Sequence, residues 1–262
     1  MTKSHLGESE QKVVIVLATM NGIPESFCFL APESGAEYIV VNQGSRIETQ
    51  LAQNVLVTND HGIGLARSRN IGIELAPKGS IVVISDNDVK HSDDLIVRLR
   101  EAYAGNFDVV TFNNADCTGP IIQSRDHSWL SIMGIPSWCI SFKKSDDFSF
   151  RFDELFGLGA TFNSGEENIF LLDMYRSGLK LAHIGFGLVS HEGVSTGYIF
   201  DDLYFMSKGA MIHRMFGWIG MVLLPIFWAR KAANAEIGVL SALRLMCLGF
   251  FKHHSGNLNT RG

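Results

Sequence analysis

Ile81-Val82-Val83-Ile84-Ser85-Asp86-Asn87-Asp88 is the stretch that decides the fold. Four consecutive apolar residues describe a strand covered on both faces, because a strand with one wet face would alternate apolar and polar residues. The run then breaks into a serine and two carboxylates one residue apart. A strand leaving a sheet in this way can aim both carboxylates at one hard cation, and carboxylates suit Mg²⁺ or Mn²⁺, which in turn bind diphosphate oxygens. A surface turn leading into a helix cap is the alternative for Asp86 and Asp88 taken alone.

Outward from this stretch, similar apolar runs stand at residues 13–18, 38–41, 55–57 and 109–112. Segments of helical length lie between them. The clearest is 92–104, with Ser92 as N-cap, Asp93 and Asp94 in the first turn, and Leu95, Ile96, Leu99 and Tyr103 at helical spacing. Strands alternating with helices predict an α/β protein with a mostly parallel central sheet flanked by helices. Ligands in such sheets sit beyond the carboxyl ends of the strands. Besides 85–88, two other segments fall near such ends: Ala18-Thr19-Met20-Asn21-Gly22 and Asn42-Gln43-Gly44-Ser45.

With 262 residues the chain can bury a sizeable core, and its 46% hydrophobic and 19% charged residues are those of a folded protein. A net charge of -5 gives no reason to expect nucleic-acid binding. From Leu203 onward, however, seven Lys/Arg stand against the single acid Glu236, so this part carries +6 and the rest -11. The four cysteines, Cys28, Cys117, Cys139 and Cys247, are far apart and read as reduced thiols of a cytosolic protein. Residues 1–11 are polar, read as a loose tail, and lack the apolar core of a signal peptide.

Two further segments carry candidate chemistry. Ser164-Gly165-Glu166-Glu167 precedes a predicted helix reaching about Ser177, with Gly178 as its stop. Ser164 and Glu167 have the spacing of a capping box, in which the glutamate returns to the serine backbone. The competing reading is a general base for an attacking hydroxyl. His191, in a loop of small polar residues, would be a third ligand to a cation begun by Asp86 and Asp88, and imidazole tilts the preference toward Mn²⁺.

Taken in order, these segments over residues 12–197 resemble the family 2 glycosyltransferases of the GT-A fold, of the kind that builds bacterial polysaccharides. Residues 13–21 resemble that family's opening strand and nucleotide loop, and 38–45 its second strand and Gly-Ser turn. Gly64 to Gly72 resembles its Ala-Arg-Asn helix, 84–88 its Asp-x-Asp strand end, and Gly165-Glu166-Glu167 its acceptor-side segment.

The resemblance implies a Rossmann-like domain over 12–202 and transfer of a sugar, with inversion, from a nucleotide-sugar donor, a UDP-sugar above all. Glu167, beside Glu166, stands at the family's base. Asp86, Asp88 and His191 would hold the metal. Ala18, Thr19, Asn21, Asn42, Gln43, Arg69, Asp86 and Asn87 would line the donor. Two departures stand out: the family's base-contacting aspartate is here replaced by Asn42-Gln43, and its usual catalytic aspartate by Glu167.

Residues 203–262 predict a basic, amphipathic helical appendage. The apolar stretch 216–229 holds Trp218 and Trp228 between cations and is shorter than the roughly 20 residues needed to span a bilayer. Residues 237–251 place Leu240, Leu243, Met246, Cys247 and Phe250 at helical spacing. Such helices fit the inner face of the cytoplasmic membrane, where a lipid-linked or saccharide acceptor would be met. Packing on the core or on a partner subunit, including a second copy in a homo-oligomer, is the alternative. The segment 113–137, with Trp129 and Pro136, reads as the acceptor-side loop. Two other functions compete with the transferase. A sugar nucleotidyltransferase would want a basic triphosphate loop, which 18–22 lacks; a degenerate membrane-bound scaffold is suggested by Asn42-Gln43.

Overall fold

The apolar runs become the buried strands of one nine-stranded sheet. The computed structural model describes residues 11–22, 27, 34–48, 51–116, 122–191, 200–231 and 238–259. The expected polar tail before residue 11, Cys28, Cys117 and the loop after His191 lie outside these residues. Cys139 and Cys247 are free.

In chain order the elements are β1 (Val13–Met20), β2 (Ala36–Gln43), β3 (Val55–Asp60), α1 (Leu65–Leu75), β4 (Ile81–Asp86), β5 (Val89–His91), α2 (Leu95–Tyr103), β6 (Val109–Asn114), β7 (Arg125–Asp126), β8 (Ile140–Lys143), α3 (Glu166–Arg176), β9 (Leu181–His191), α4 (Asp202–Phe216), α5 (Gly220–Lys231) and α6 (Val239–Asn259). The sheet order is β3-β2-β1-β4-β8-β6-β9-β5, with β7 on β9. Strands β3, β2, β1 and β4 pair in parallel; β8 inserts antiparallel between β4 and β6; β6 and β9 are parallel again. Val13 to Val16 and Ile81 to Ile84 are wholly buried, as strands covered on both faces must be.

Local signals are met with shifts. The helix expected from Ser92 begins at Leu95, and Ser92 Oγ instead accepts from the Asp94 N–H in the turn before it (3.3 Å). The capping box at Ser164 is not formed. Gly165, at φ 106°, takes the N-cap of α3, and Ser164 Oγ is buried without a hydrogen-bond partner. A left-handed N-cap turns the Ser164 side chain away from the helix start, so Glu167 is free of that role.

The C-terminal helices are built on close approach. Helix α4 packs along α6, and a methyl group added at Gly209 would lie 1.8 Å from the Met246 carbonyl oxygen. One added at Gly249 would lie 1.8 Å from that of Met206. Four residues beyond each glycine, His213 and His253 meet through their Nδ1 atoms at 2.7 Å. Arg214 ties this layer to the sheet body by ion pairs with Asp153 and Asp173, both 2.8 Å.

The expected apolar stretch 216–229 belongs to a longer helical run, Asp202–Arg230, that by length and composition alone is sufficient to cross a membrane. Gly217, at φ 55° and ψ -143°, breaks that run. The 15 residues of α4 on one side extend only about 22 Å, short of the roughly 30 Å hydrocarbon thickness.

Candidate active site

Strand β4 delivers Asp86 to the carboxyl edge of the sheet, where α1 and α3 also present side chains. The junction of all three is Arg69, from α1, which is 0% exposed. Its Nη2 donates to Asp86 Oδ1 (3.0 Å) and to Ser137 Oγ (2.7 Å), and its Nη1 donates to Glu166 Oε1 (2.8 Å). A fully desolvated guanidinium is tolerable only with such partners. Its planar fork lets one residue hold a strand end and a helix start together. Arg69 is therefore neither an exposed helix residue nor an open donor contact. It is a buried strut under the site.

Glu166 and Glu167 divide accordingly. Burial pushes the Glu166 carboxyl above the usual carboxylate range, the neighbouring Glu167 charge adds to this, and Arg69 opposes it only in part. Glu167 is half-buried and opens into a cavity of about 280 Å³ with Glu166, Trp138, Tyr204, Lys208 and Met246 among its walls. A second cavity, about 360 Å³, is lined by Ala18, Thr19, Gln43, Asn87, Asp88 and His191. Asp86, Trp138, Leu65 and Leu158 belong to both, so the two spaces adjoin.

The predicted ligands are only partly brought together. His191 Nε2 lies 3.2 Å from Asp88 Oδ2, and its ring stacks on Trp138 with centroids 4.5 Å apart. Asp86 faces the same cavity but spends its carboxylate on Arg69. Among the described residues no three His, Cys, Asp or Glu side chains converge on a point that could hold a metal. A Mg²⁺ or Mn²⁺ site does not need them to. Such ions keep several waters and bind through one or two protein ligands plus substrate phosphates, so the Asp88–His191 pair fits.

Of the other expected donor contacts, Thr19 keeps an unpartnered buried hydroxyl at the second cavity. Asn42 and Asn21 are structural. Asn42 accepts from the Gly22 N–H and donates to Ser45 and Asn59, and Asn21 Oδ1 accepts from the Ser45 N–H at 2.6 Å. Gln43 reaches the cavity, yet its amide already bonds Gly64 and Asp60.

Sequence reasoning singled out neither Ser137, the last residue of the anticipated segment, nor Trp138, which follows it directly. The tryptophan singled out there, Trp129, is 41% exposed and packs edge-on against Phe216 instead. Pro136, just before the short turn Ser137–Cys139, was the available signal.

These features define an α/β protein whose strand ends carry two adjoining cavities, one lined by Asp88 and His191 and one by Glu166 and Glu167. Solved structures share the fold. The chain is similar to S. aureus TarS 1-349, at a TM-score of 0.58 and 13% identity over 94% of this chain and 72% of that one. It is similar also to the same fragment in complex with UDP-GlcNAc, at 0.56 and 15% over 94% and 73%. Against the longer TarS structure the TM-score is 0.55 at 15% identity, and the chain spans 43% of it. No protein-family model and no curated protein matches the chain.

Proposed function

We propose that the protein is an inverting glycosyltransferase of the GT-A, family 2 type, moving a sugar from a UDP-sugar donor to a saccharide or lipid-linked acceptor in surface-polysaccharide assembly. One observation carries this: the cavity holding Glu167 adjoins the cavity at the β1 and β4 ends, with Asp86 and Trp138 in the shared wall. The UDP-GlcNAc complex of the similar TarS fragment supports the choice of donor class.

In this reading Glu167 takes the proton of the acceptor hydroxyl. The freed oxygen pair bonds to the anomeric carbon, the bond from that carbon to the β-phosphate oxygen breaks, and its electrons leave with the nucleoside diphosphate. Approach from the cavity opposite the leaving group inverts the centre. Asp88 and His191 would hold a Mg²⁺ or Mn²⁺ ion, which when bound neutralises charge on the departing diphosphate. Arg69 keeps Asp86 and Glu166 fixed beneath both substrates.

Calorimetry with UDP tests the donor half without knowledge of the acceptor. Binding should strengthen with Mn²⁺, fall on chelation, and lose its metal response in Asp88→Ala. In turnover, Asp88→Ala should cost at least about 100-fold. UDP binding indifferent both to Mn²⁺ and to Asp88→Ala would sink the assignment, and no UDP binding at all would favour the scaffold reading motivated by Asn42-Gln43.

The C-terminal helices support placement at the inner leaflet. Ile219, Val222 and Leu240 are 74%, 72% and 79% exposed, Trp218 packs against Phe251, and Arg230, Arg244 and Lys252 are exposed nearby in sequence. Apolar side chains flanked by cations suit an interface of anionic lipid. Flotation with phosphatidylglycerol vesicles should carry the protein, and Ile219→Glu with Val222→Glu should release it; equal flotation of the variant would overturn the placement.

A further inference from the structure

The cavity holding Glu167 has a second feature that proton abstraction does not use. Lys208, from α4, lines it with its ammonium over the Tyr204 ring, 5.2 Å from the centroid. It has no carboxylate partner among the described residues, whereas the other cation lining the cavity, Arg69, is neutralised by Asp86 and Glu166. Ser164 lines the same cavity with a buried hydroxyl that has no hydrogen-bond partner. A buried hydroxyl without a partner carries a desolvation cost, which a ligand bearing acceptor oxygens would remove while meeting the Lys208 ammonium.

Tyr204 and the two glutamates of α3 share the cavity with Lys208 and Ser164. Tyr204 is buried, and its phenol is pushed up to about 12 by burial and then by the Glu167 charge, so it stays neutral and within electrostatic reach of Glu167. Lys208 rests on the same ring. Glu166 is paired with Arg69, and Glu167, which hydrogen-bonds Glu166, has no cation partner among the described residues. Tyr204 thus neighbours both the carboxylate and the cation of this cavity.

We propose that Lys208 and Ser164 form an anion subsite for the acceptor, so that the sugar receiving the new bond carries, or is joined to, a phosphate or carboxylate group. The inference rests on the transferase reading, since it takes this cavity as the acceptor side. Phosphate and carboxylate share the chemistry that Lys208 and Ser164 recognise: anionic oxygens that accept a charge-assisted and a neutral hydrogen bond.

The test uses the full chain saturated with UDP and Mn²⁺, so that the diphosphate site is filled and the two sites are read separately. Binding of methyl glucoside, methyl glucuronide and glucose 6-phosphate is followed by ligand-observed NMR. At least one anionic probe should bind 5-fold or more tighter than the neutral glucoside. Preference for the glucuronide assigns a carboxylate, and preference for the phosphate assigns a phosphate. Lys208→Gln should abolish the preference with unchanged affinity for UDP, and the exposed control Lys180→Gln should keep it. Equal binding of all three probes, or a preference that survives Lys208→Gln, would overturn the subsite while leaving the transferase reading intact. Failure of UDP to bind would instead strike at that reading, and an anionic preference measured without UDP would still identify the subsite.

Discussion

Arg69→Met is expected to be the most damaging single substitution in the core, lowering stability by about 3–5 kcal/mol and Tm by roughly 6–15 °C. The physical reason is not the lost bonds themselves. Removing the guanidinium leaves Asp86 facing a buried junction and Glu166 buried with Glu167 beside it, and the two acids then repel with no counter-charge. Methionine preserves much of the volume, so packing alone predicts a small effect. The triple variant Arg69→Met, Asp86→Asn, Glu166→Gln should recover much of the loss, because neutral partners need no compensation. Thermal unfolding of the two proteins is the measurement. A single variant within 2 °C of wild type would show that the junction is not held by charge.

Glu167→Gln should reduce turnover by about 10²- to 10⁴-fold, the contribution typical of a positioned general base, while UDP affinity changes little. The substitution separates two roles that sequence alone joins. A capping box works with glutamine as well as with glutamate, so a cap predicts nearly full activity. A base does not, since an amide cannot take the proton. Steady-state rates on any active donor and acceptor pair decide it. Glu166→Gln makes a useful companion, since it weakens the tie to Arg69 and should act mainly through stability.

Much of the sheet was legible because its strands are buried on both faces. Runs such as 13–16 and 81–84, short and rich in β-branched residues, read as buried strands, and the second places Asp86 at its end with Asp88 just beyond. Strands β8 and β9 were not legible. Ile140–Lys143 is four residues long, and Leu181–His191 mixes glycine, histidine and serine into its length, so partners rather than pattern define them. The candidate site divides in the same way. Asp88 and His191 could be named from residue type and order, and the structure sets them side by side. The strut could not, because Arg69 and Glu166 are 97 residues apart and nothing local marks their pairing. Ser164 shows the reverse case. Its spacing to Glu167 satisfies a local rule, but the left-handed Gly165 between them redirects the chain and the rule goes unused.

The close-approach glycines of α4 and α6 have a bearing on the width of the Glu167 cavity. Met246 stands in the wall of the Glu167 cavity, and Met211, two residues beyond Gly209, stands there too. The obstacle to any side chain at Gly209 or Gly249 is a carbonyl oxygen of the facing helix, which cannot rotate aside as a side chain would. A single methyl there is accommodated only by moving one helix bodily, and the methionines move with it. The width of this cavity is thus gauged by two hydrogen atoms, forty positions apart in the chain, where every other amino acid would place a carbon.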